Sequence, residues 1–279
     1  MINKHRVKTN FSNAKDYDNF TSYHNLTLKM ISQTIRSFFD TQKYMKNILD
    51  IGCGTAQGYF ALERVMSNDC FNYFGLDFAT GLLNEAKRKF NSKNDTNNAY
   101  LICGDAESLP LKCKKFDVIF SNMALHWLNQ HNIEDFLNQC KASLRDDGII
   151  ILSFLISGTL RELAECLKNT ANNSIKLHVF PELKFINEKI NGTELKIEYS
   201  KTFEYVETAE SPIRLLKRMS MLGAKNTVNK KTPDTRSLRR MLLHYDKHYR
   251  YNNGKAYCTY KIAYIVLKKN TKTLNKEQD

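Results

Sequence analysis

The sequence predicts an α/β protein with a mostly parallel sheet of seven strands, covered by helices on both faces. Short apolar runs of strand length alternate with amphipathic segments of helical length between residues 47 and 154. A glycine-rich turn, Gly52-Cys53-Gly54, directly follows the first of these runs. With 279 residues, 42% of them hydrophobic, the chain is long enough to bury apolar side chains on both sides of such a sheet.

The first half of the chain alternates regularly between strand and helix patterns. An amphipathic helix is predicted over 25–39, because apolar residues there recur every three or four positions. The predicted strands that follow cover residues 47–51, 71–76, 99–103, 116–121 and 148–154. The predicted helices between them cover residues 58–66, 81–90 and 133–144. Strands joined through helices lie parallel to one another, so this half forms a parallel sheet.

The pattern is less regular after residue 154. Helices are predicted over 158–169, 213–222 and 237–249, an extended strand over 195–206, and an antiparallel last strand over 256–267. We therefore divide the chain into five parts. These are an N-terminal arm and helix over the ligand site (1–40), a ligand-binding core (41–155), a segment that completes the sheet and forms a helical lid (156–255), a last core strand (256–268) and a polar tail (269–279).

Composition narrows the class of protein. No stretch approaches the ~18 consecutive apolar residues of a membrane span, and the polar start has no apolar core of a secretory signal, so we expect a cytoplasmic protein. Seven cysteines without a close pair predict reduced thiols and no metal site. The net charge of +13 favours acidic partners. Nucleic acid is not the expected one, because no basic motif interleaved with aromatic residues is present.

Polar residues stand at the ends of four successive predicted strands. They are Asp50, Asp77, Asp105 and Asn122. In an open parallel sheet the ligand lies beyond the carboxyl ends of the strands, so these side chains are candidates for binding it. Asp77 follows Gly52 by 25 residues, close to the ~20 expected for an acid that binds ribose hydroxyls.

Two features of this set indicate the kind of ligand. Asp105 can reach the exocyclic amine of a base, and the small Ala106 leaves room for the ring. The turn lacks the third glycine of a dinucleotide motif, since Ala56 and Gln57 follow Thr55. The acid ahead of the turn suits a cationic ligand better than a diphosphate. A nucleoside that carries a sulfonium and an amino acid fits this pattern.

Four motifs in order resemble those of class I S-adenosylmethionine-dependent methyltransferases. They are LDIGCGT at 49–55, the acid Asp77, GDAESLP at 104–110 and FDVIFSN at 116–122. The resemblance implies a Rossmann-like fold that binds S-adenosylmethionine in the core over 41–155. The first loop would pass the methionine end, Asp77 would hold the ribose, and Asp105 would lie by the adenine. Phe78 would also belong to the cofactor-binding residues. The family usually has glycine at position 56.

The resemblance extends more specifically to the malonyl-acyl-carrier-protein O-methyltransferases of biotin synthesis. Similar segments lie at 11–18, 121–127, 158–163, 222–224 and 254–264. This implies methyl transfer to the free carboxylate of a malonyl thioester, with an acidic acyl-carrier protein as the partner. His126 departs from that family, which generally has glutamine there. A histidine at this position resembles instead the mitochondrial-type assembly factors of respiratory complex I. The alternative is therefore a protein of that kind, which acts on a protein partner.

Three residues are candidates for orienting the methyl and acyl groups: Tyr17, His126 and Trp127. In the resembled family the position of Tyr17 closes over the sulfonium. His126 keeps a donor and an acceptor and can titrate, whereas a purely structural role is equally open to it. Trp127 can be a core residue or a wall of the pocket. A methyltransferase for small molecules or nucleic acid is a third reading, suggested by the charge.

Three cations of the second half are candidates for facing the carrier protein: Arg161, Lys217 and Arg218. The competing interpretation is that they form a solvated helix face. The sequence contains no internal repeat. We expect a monomer.

Overall fold

The computed structural model describes residues 3–12, 18, 22–39, 46–66, 71–92, 98–111, 114–170, 177–221 and 235–270. The α-helices are α1 Lys4–Ser12, α2 Ser22–Phe39, α3 Gln57–Val65, α4 Thr80–Ser92, α5 Ile133–Ser143, α6 Arg161–Asn169, α7 Leu183–Asn191, α8 Pro212–Met221 and α9 Thr235–His248. The strands are β1 Lys46–Ile51, β2 Phe71–Asp77, β3 Ala99–Cys103, β4 Phe116–Asn122, β5 Leu144–Leu155, β6 Leu195–Ala209 and β7 Ala256–Lys269. Short 3₁₀ turns cover Leu125–Trp127 and Gln130–Asn132.

The strands form one sheet in the order β3-β2-β1-β4-β5-β7-β6. The first five are parallel, and β7 runs antiparallel to both of its neighbours, β5 and β6. The chain winds outward from β1 in both directions, so the order reverses between β1 and β4. A crevice opens at such a switch point, beyond the carboxyl ends of the strands. The predicted fold class, including the antiparallel last strand, is confirmed.

Alternating side chains of the strands fill two cores. On one face, Leu49 and Ile51 of β1 pack in a cluster with α5 and α7. On the other face, Ile48 of β1 packs in a cluster with α2, α3 and α4. This period of two is what a strand buried on both faces requires. Helices therefore cover both faces, as the sequence predicts.

A third cluster joins the lid helices to the edge of the sheet. Apolar residues of α6, α8 and α9 pack against the outer part of β7 and against Met123, which directly follows β4. The lid thus rests on the same edge of the sheet as the crevice. Helices α8 and α9 agree with the prediction to within two residues, and α6 begins later, at Arg161.

Two helices were not predicted. Helix α1 lies in the segment that was expected from the sequence only as an N-terminal arm. It has a single buried residue, Val7, so its sequence lacks the repeated apolar positions that indicate a helix. Helix α7 buries Ile186 and Ile190. Their spacing of four residues is typical of a helix, but two positions are too few to predict one. Both helices gain their stability from packing against the rest of the protein more than from their own sequences.

Five of the seven cysteines fall in the described residues, and all five are free thiols. None of the helices in the described ranges is long and apolar enough to cross a membrane.

Candidate active site

Two adjoining cavities lie at the carboxyl ends of the parallel strands. The main cavity is lined by Lys4, Val7, Phe11, Gly52, Gly54, Leu76, Asp77, Phe78, Leu82, Gly104, Asp105, Ala106, Asn122, Met123, Ala124, Trp127 and Leu128. The loop cavity is lined by His24, Leu28, Asp50, Gly52, Cys53, Gly54, Thr55, Gln57, Gly58 and Asn122. They share Gly52, Gly54 and Asn122, so together they form one bent site around the glycine turn.

The glycine turn depends on backbone conformations that side chains disfavour. Gly52 and Gly54 have φ of +77° and +55°. A Cβ on Gly52 would lie 2.4 Å from the Cβ of Ala124, so the turn also passes too close to its neighbour for a side chain. Ala56 has φ of 58° without being glycine. Its left-handed conformation costs roughly 1 kcal/mol, which explains why the resembled family usually has glycine there.

Asp77 ends β2 and faces the main cavity. Its Oδ2 accepts a hydrogen bond from the Gly54 amide at 2.9 Å, and its Oδ1 accepts one from the Ala79 amide at 2.8 Å. The carboxyl group is only 7% exposed, and this burial raises its pKa although the amide bonds oppose the rise. Each oxygen keeps a second lone pair, so the carboxylate can accept two further hydrogen bonds from a pair of hydroxyls.

Asp50 is the next-to-last residue of β1 and lies behind the turn, in the loop cavity. It is 2% exposed, and burial raises its pKa to about 7, although a hydrogen bond from the Tyr73 hydroxyl at 2.6 Å opposes the rise. Gly58 makes room for the carboxyl group, because a Cβ there would lie 2.4 Å from Asp50 Oδ2. When a buried carboxyl group has a raised pKa, a cationic ligand group beside it stabilises its ionised form.

Helix α1 covers the main cavity. Lys4 Nζ lies 2.6 Å from Asp105 Oδ2 and 2.7 Å from Glu107 Oε2, so it bridges both acids. Asp105, which the sequence suggested as a partner for a base, therefore already binds a lysine. Phe11 packs edge-on against Trp127, with ring centroids 5.5 Å apart. Sequence reasoning missed α1, although Val7 and Phe11 have helical spacing.

Asn122 joins α2 to the sheet. Its Oδ1 accepts hydrogen bonds from the hydroxyls of Thr27 at 2.7 Å and Ser153 at 2.6 Å. Its Nδ2 donates to the carbonyl of His24 at 3.3 Å. The amide thus lines both cavities while three of its hydrogen bonds hold the surrounding structure. The next residue, Met123, has φ of 57°, and this turns the chain away from β4 across the crevice.

His126 and Trp127 have different places in the site. Trp127 lines the main cavity, whereas His126 is buried behind it, at 4% exposure. Its Nδ1 accepts a hydrogen bond from the Leu155 amide at 3.3 Å. Burial, together with nearby His178 and His24, holds its pKa well below the ordinary value. The sequence suggested that His126 can titrate, and burial shifts that titration to a pH below its ordinary range. Nδ1 acts as an acceptor, which leaves Nε2 as the nitrogen that carries the proton of a neutral ring.

One aromatic residue of this region was missed from the sequence. His178 donates a hydrogen bond from Nε2 to the carbonyl of His126 at 2.7 Å, and its ring centroid lies 4.7 Å from that of Trp127. It sits on an irregular segment before α7, so no periodicity marks it. The other sequence candidate for this region, Tyr17, lies outside the described residues.

The cations suggested for carrier binding differ in their surroundings. Arg161 forms a salt bridge with Glu204, and Arg218 forms one with Glu207 at 3.1 Å. Lys217 is exposed on α8. Two of the three charges are thus already compensated within the protein, and this lowers their attraction for an acidic partner.

Comparisons with known proteins identify the class of protein to which the chain belongs. A family model described as a methyltransferase domain matches residues 48–148, which span the glycine turn and the acids at the strand ends. The YcgJ protein from Bacillus subtilis has a similar fold, with a TM-score of 0.59 at 16% identity over 88% of this chain and 99% of that one. The chain is a class I S-adenosylmethionine-dependent methyltransferase, as its motifs and sheet order predict.

Two curated relatives define the family more closely. Malonyl-[acyl-carrier protein] O-methyltransferase 2 from Ilyobacter polytropus is 28% identical over 97% of this chain and all of the relative. The malonyl-[acyl-carrier protein] O-methyltransferase from Buchnera aphidicola is 30% identical over 72% of each chain. The chain belongs to the same family as these O-methyltransferases.

Proposed function

We propose that the protein transfers the methyl group of S-adenosylmethionine to the free carboxylate of a malonyl thioester on acyl-carrier protein, a step of biotin synthesis. The observation that carries this proposal is the near full-length similarity to malonyl-[acyl-carrier protein] O-methyltransferases. In the crevice, Trp127 is backed by the rings of His126, His178 and Phe180, so this wall of the main cavity is aromatic.

The residues of the two cavities fit the proposed methyl donor. When bound, S-adenosylmethionine supplies an activated methyl group on a positively charged sulfur. We assign the ribose hydroxyls to Asp77, whose spare lone pairs face the main cavity. The apolar part of that cavity, with Phe78 and Ala106, suits a base, and Asp105 stands at its rim. The methionine end belongs in the loop cavity, lined by Asp50, Gly52, Gly54 and Asn122.

Methyl transfer to a carboxylate requires the protein mainly to position the two reactants. A carboxylate is already ionised at neutral pH, so an in-line approach to the methyl group requires no general base. A neutral His126 is compatible with this demand, because its Nε2–H can donate a hydrogen bond but does not remove a proton at physiological pH. Phe11 and Trp127 close the main cavity from the side of α1 and exclude water from the reacting groups.

Tyr17 and Trp127 complete the proposed substrate site. We assign Tyr17 to the methyl group, as in the resembled family, and Trp127 to the wall against which the acyl chain lies. The alternative of a complex I assembly factor rested on His126. It is not favoured by the comparisons, since the relatives described above are carrier-protein methyltransferases.

The decisive experiment is to incubate the purified protein with methyl-labelled S-adenosylmethionine and malonyl-loaded acyl-carrier protein. We expect label in the malonyl group, released by ester hydrolysis. Acetyl-loaded carrier protein is the matched control, because it has the same thioester but no free carboxylate. Equal labelling of both carriers, or no labelling by protein that binds the cofactor in calorimetry, contradicts the proposal. Rescue of a biotin auxotroph that lacks this step would extend the result to cells.

A further inference from the structure

Helix α9 carries a row of exposed cations around one exposed leucine. Arg236, Arg240, Leu243 and Lys247 follow one another at spacings of four, three and four residues, so they lie on one face of the helix. Arg239 flanks the same face. All five side chains are exposed, and that of Leu243 is 62% exposed. We call these five residues the α9 stripe.

The α9 stripe differs from the other candidate cations in its charge pairing. Within the described residues, none of its four cations forms a salt bridge, whereas Arg250, just beyond α9, pairs with Asp246. This distinguishes the stripe from Arg161 and Arg218, which pair with glutamates. Four uncompensated charges on one face attract an acidic surface over a longer range than paired ones do.

The opposite face of α9 connects the stripe to the site. Met241 and Tyr245 are buried in the same cluster as Leu155 and Met123. Met123 also lines the main cavity. A partner bound on the exposed face of α9 is therefore connected, through this buried cluster, to a residue that lines the main cavity.

The residue types of the α9 stripe favour one kind of partner. Cations that surround an apolar side chain are complementary to an acidic protein surface with an apolar centre. Single-stranded nucleic acid is also attracted by charge, but it gains affinity by stacking bases on aromatic rings, and the stripe has none. We infer that the α9 stripe is the docking surface for the acidic acyl-carrier protein. This inference rests on the proposed function.

The test compares two double charge reversals in the full-length protein. Arg240→Glu with Lys247→Glu alters the α9 stripe, and Lys87→Glu with Lys115→Glu makes the same change in net charge at exposed positions outside it. We expect the first variant to raise the KM for malonyl-loaded carrier protein by about tenfold or more, with the kcat and the affinity for S-adenosylmethionine retained. Added salt should weaken the wild type more than this variant. Leu243→Ser should also raise the KM.

Direct binding of fluorescently labelled carrier protein separates the two proposals. Binding that the α9 variant loses and the control variant keeps supports the docking surface, even if malonyl is not methylated and the proposed function fails. Equal KM and equal binding in the two variants overturn the docking surface and leave the proposed function intact. Tighter binding of a single-stranded RNA or of anionic vesicles than of carrier protein, lost in the α9 variant, also overturns it. A wild type that neither binds nor methylates the carrier overturns both.

Discussion

Asp50 and Asp77 lie on opposite sides of one glycine turn and have different hydrogen-bond partners. Asp77 accepts two backbone amides and faces the main cavity, whereas Asp50 accepts a tyrosine hydroxyl and lies in the loop cavity. Burial raises the pKa of both carboxyl groups. A ligand that brings hydroxyls to one acid and a cation to the other stabilises both ionised forms, and each effect can be measured separately.

We expect Asp77→Asn to weaken the binding of S-adenosylmethionine by about 2 kcal/mol, or roughly thirtyfold in Kd, because a charged acceptor is lost. The amide also places a donor opposite the backbone N–H of Gly54 or Ala79, and this loosens the turn. Titration calorimetry measures the effect. Asp146→Asn, at an exposed carboxylate far along the sequence, is the control. Unchanged affinity in Asp77→Asn would show that another acid binds the ribose.

The pKa of Asp50 predicts a proton release. The folded-state pKa of about 7 lies above the ordinary 3.8, so the protonated acid stabilises the fold. That contribution is complete below the ordinary pKa and is lost as the pH rises through about 7. If the cationic methionine end binds beside Asp50, it favours the carboxylate. Binding at about pH 6 should then release up to one proton.

The release is measured by calorimetry in buffers with different ionisation enthalpies, since the released proton adds the heat of buffer protonation. Tyr73→Phe provides a matched variant. It removes the hydrogen bond that lowers the pKa of Asp50, so it should shift the release to higher pH. Binding heats that do not depend on the buffer would place the cationic end elsewhere.

At the scale of elements, α1 acts as a cover that is held at both ends. Lys4 bridges Asp105 and Glu107 near its start. At its other end, the carbonyl of Ser12 approaches Gly81 of α4 so closely that a Cβ on Gly81 would lie 2.0 Å from that oxygen. The helix has few buried residues of its own. We therefore expect these contacts to control how often the main cavity opens.

Removing the lysine bridge should speed exchange of the cofactor. In Lys4→Met we expect both the association and the dissociation rates of S-adenosylmethionine to rise severalfold, with a smaller change in Kd, because opening limits both directions. Stopped-flow fluorescence of Trp127, the only tryptophan, reports both rates. Lys8→Met is the control, since Lys8 is exposed on the same helix. Equal rates in the two variants would mean that α1 does not gate the cavity.

At the scale of the whole molecule, features set by local spacing were predictable. The alternation of apolar runs of strand length with amphipathic segments of helical length predicted the parallel sheet, because each strand has its own apolar run. The acids at the strand ends could be located because a parallel sheet collects its carboxyl ends at one edge. The antiparallel last strand followed from its alternating pattern. For the same reason the glycine turn and Asp77 could be assigned to one site.

Features set by contacts distant in sequence were not predictable. Lys4 meets Asp105 across 101 positions, and His178 meets the carbonyl of His126 across 52. Arg161 pairs with Glu204, which is 43 positions away in the sequence. The sequence alone therefore could not show that the charge of Arg161 is already compensated. The low pKa of His126 likewise depends on burial, which no single residue type reveals.

The position of β7 has a consequence for how the protein is made. This strand inserts between β5 and β6, yet it is the last of the described strands to leave the ribosome. The outer edge of β5 therefore stays unpaired while about 100 further residues are synthesised, including all of the lid helices. The nascent chain cannot complete the sheet or anchor its lid before β7 emerges, so native assembly waits for residues 256–269. Nascent chains stalled before residue 256 should depend most on chaperones.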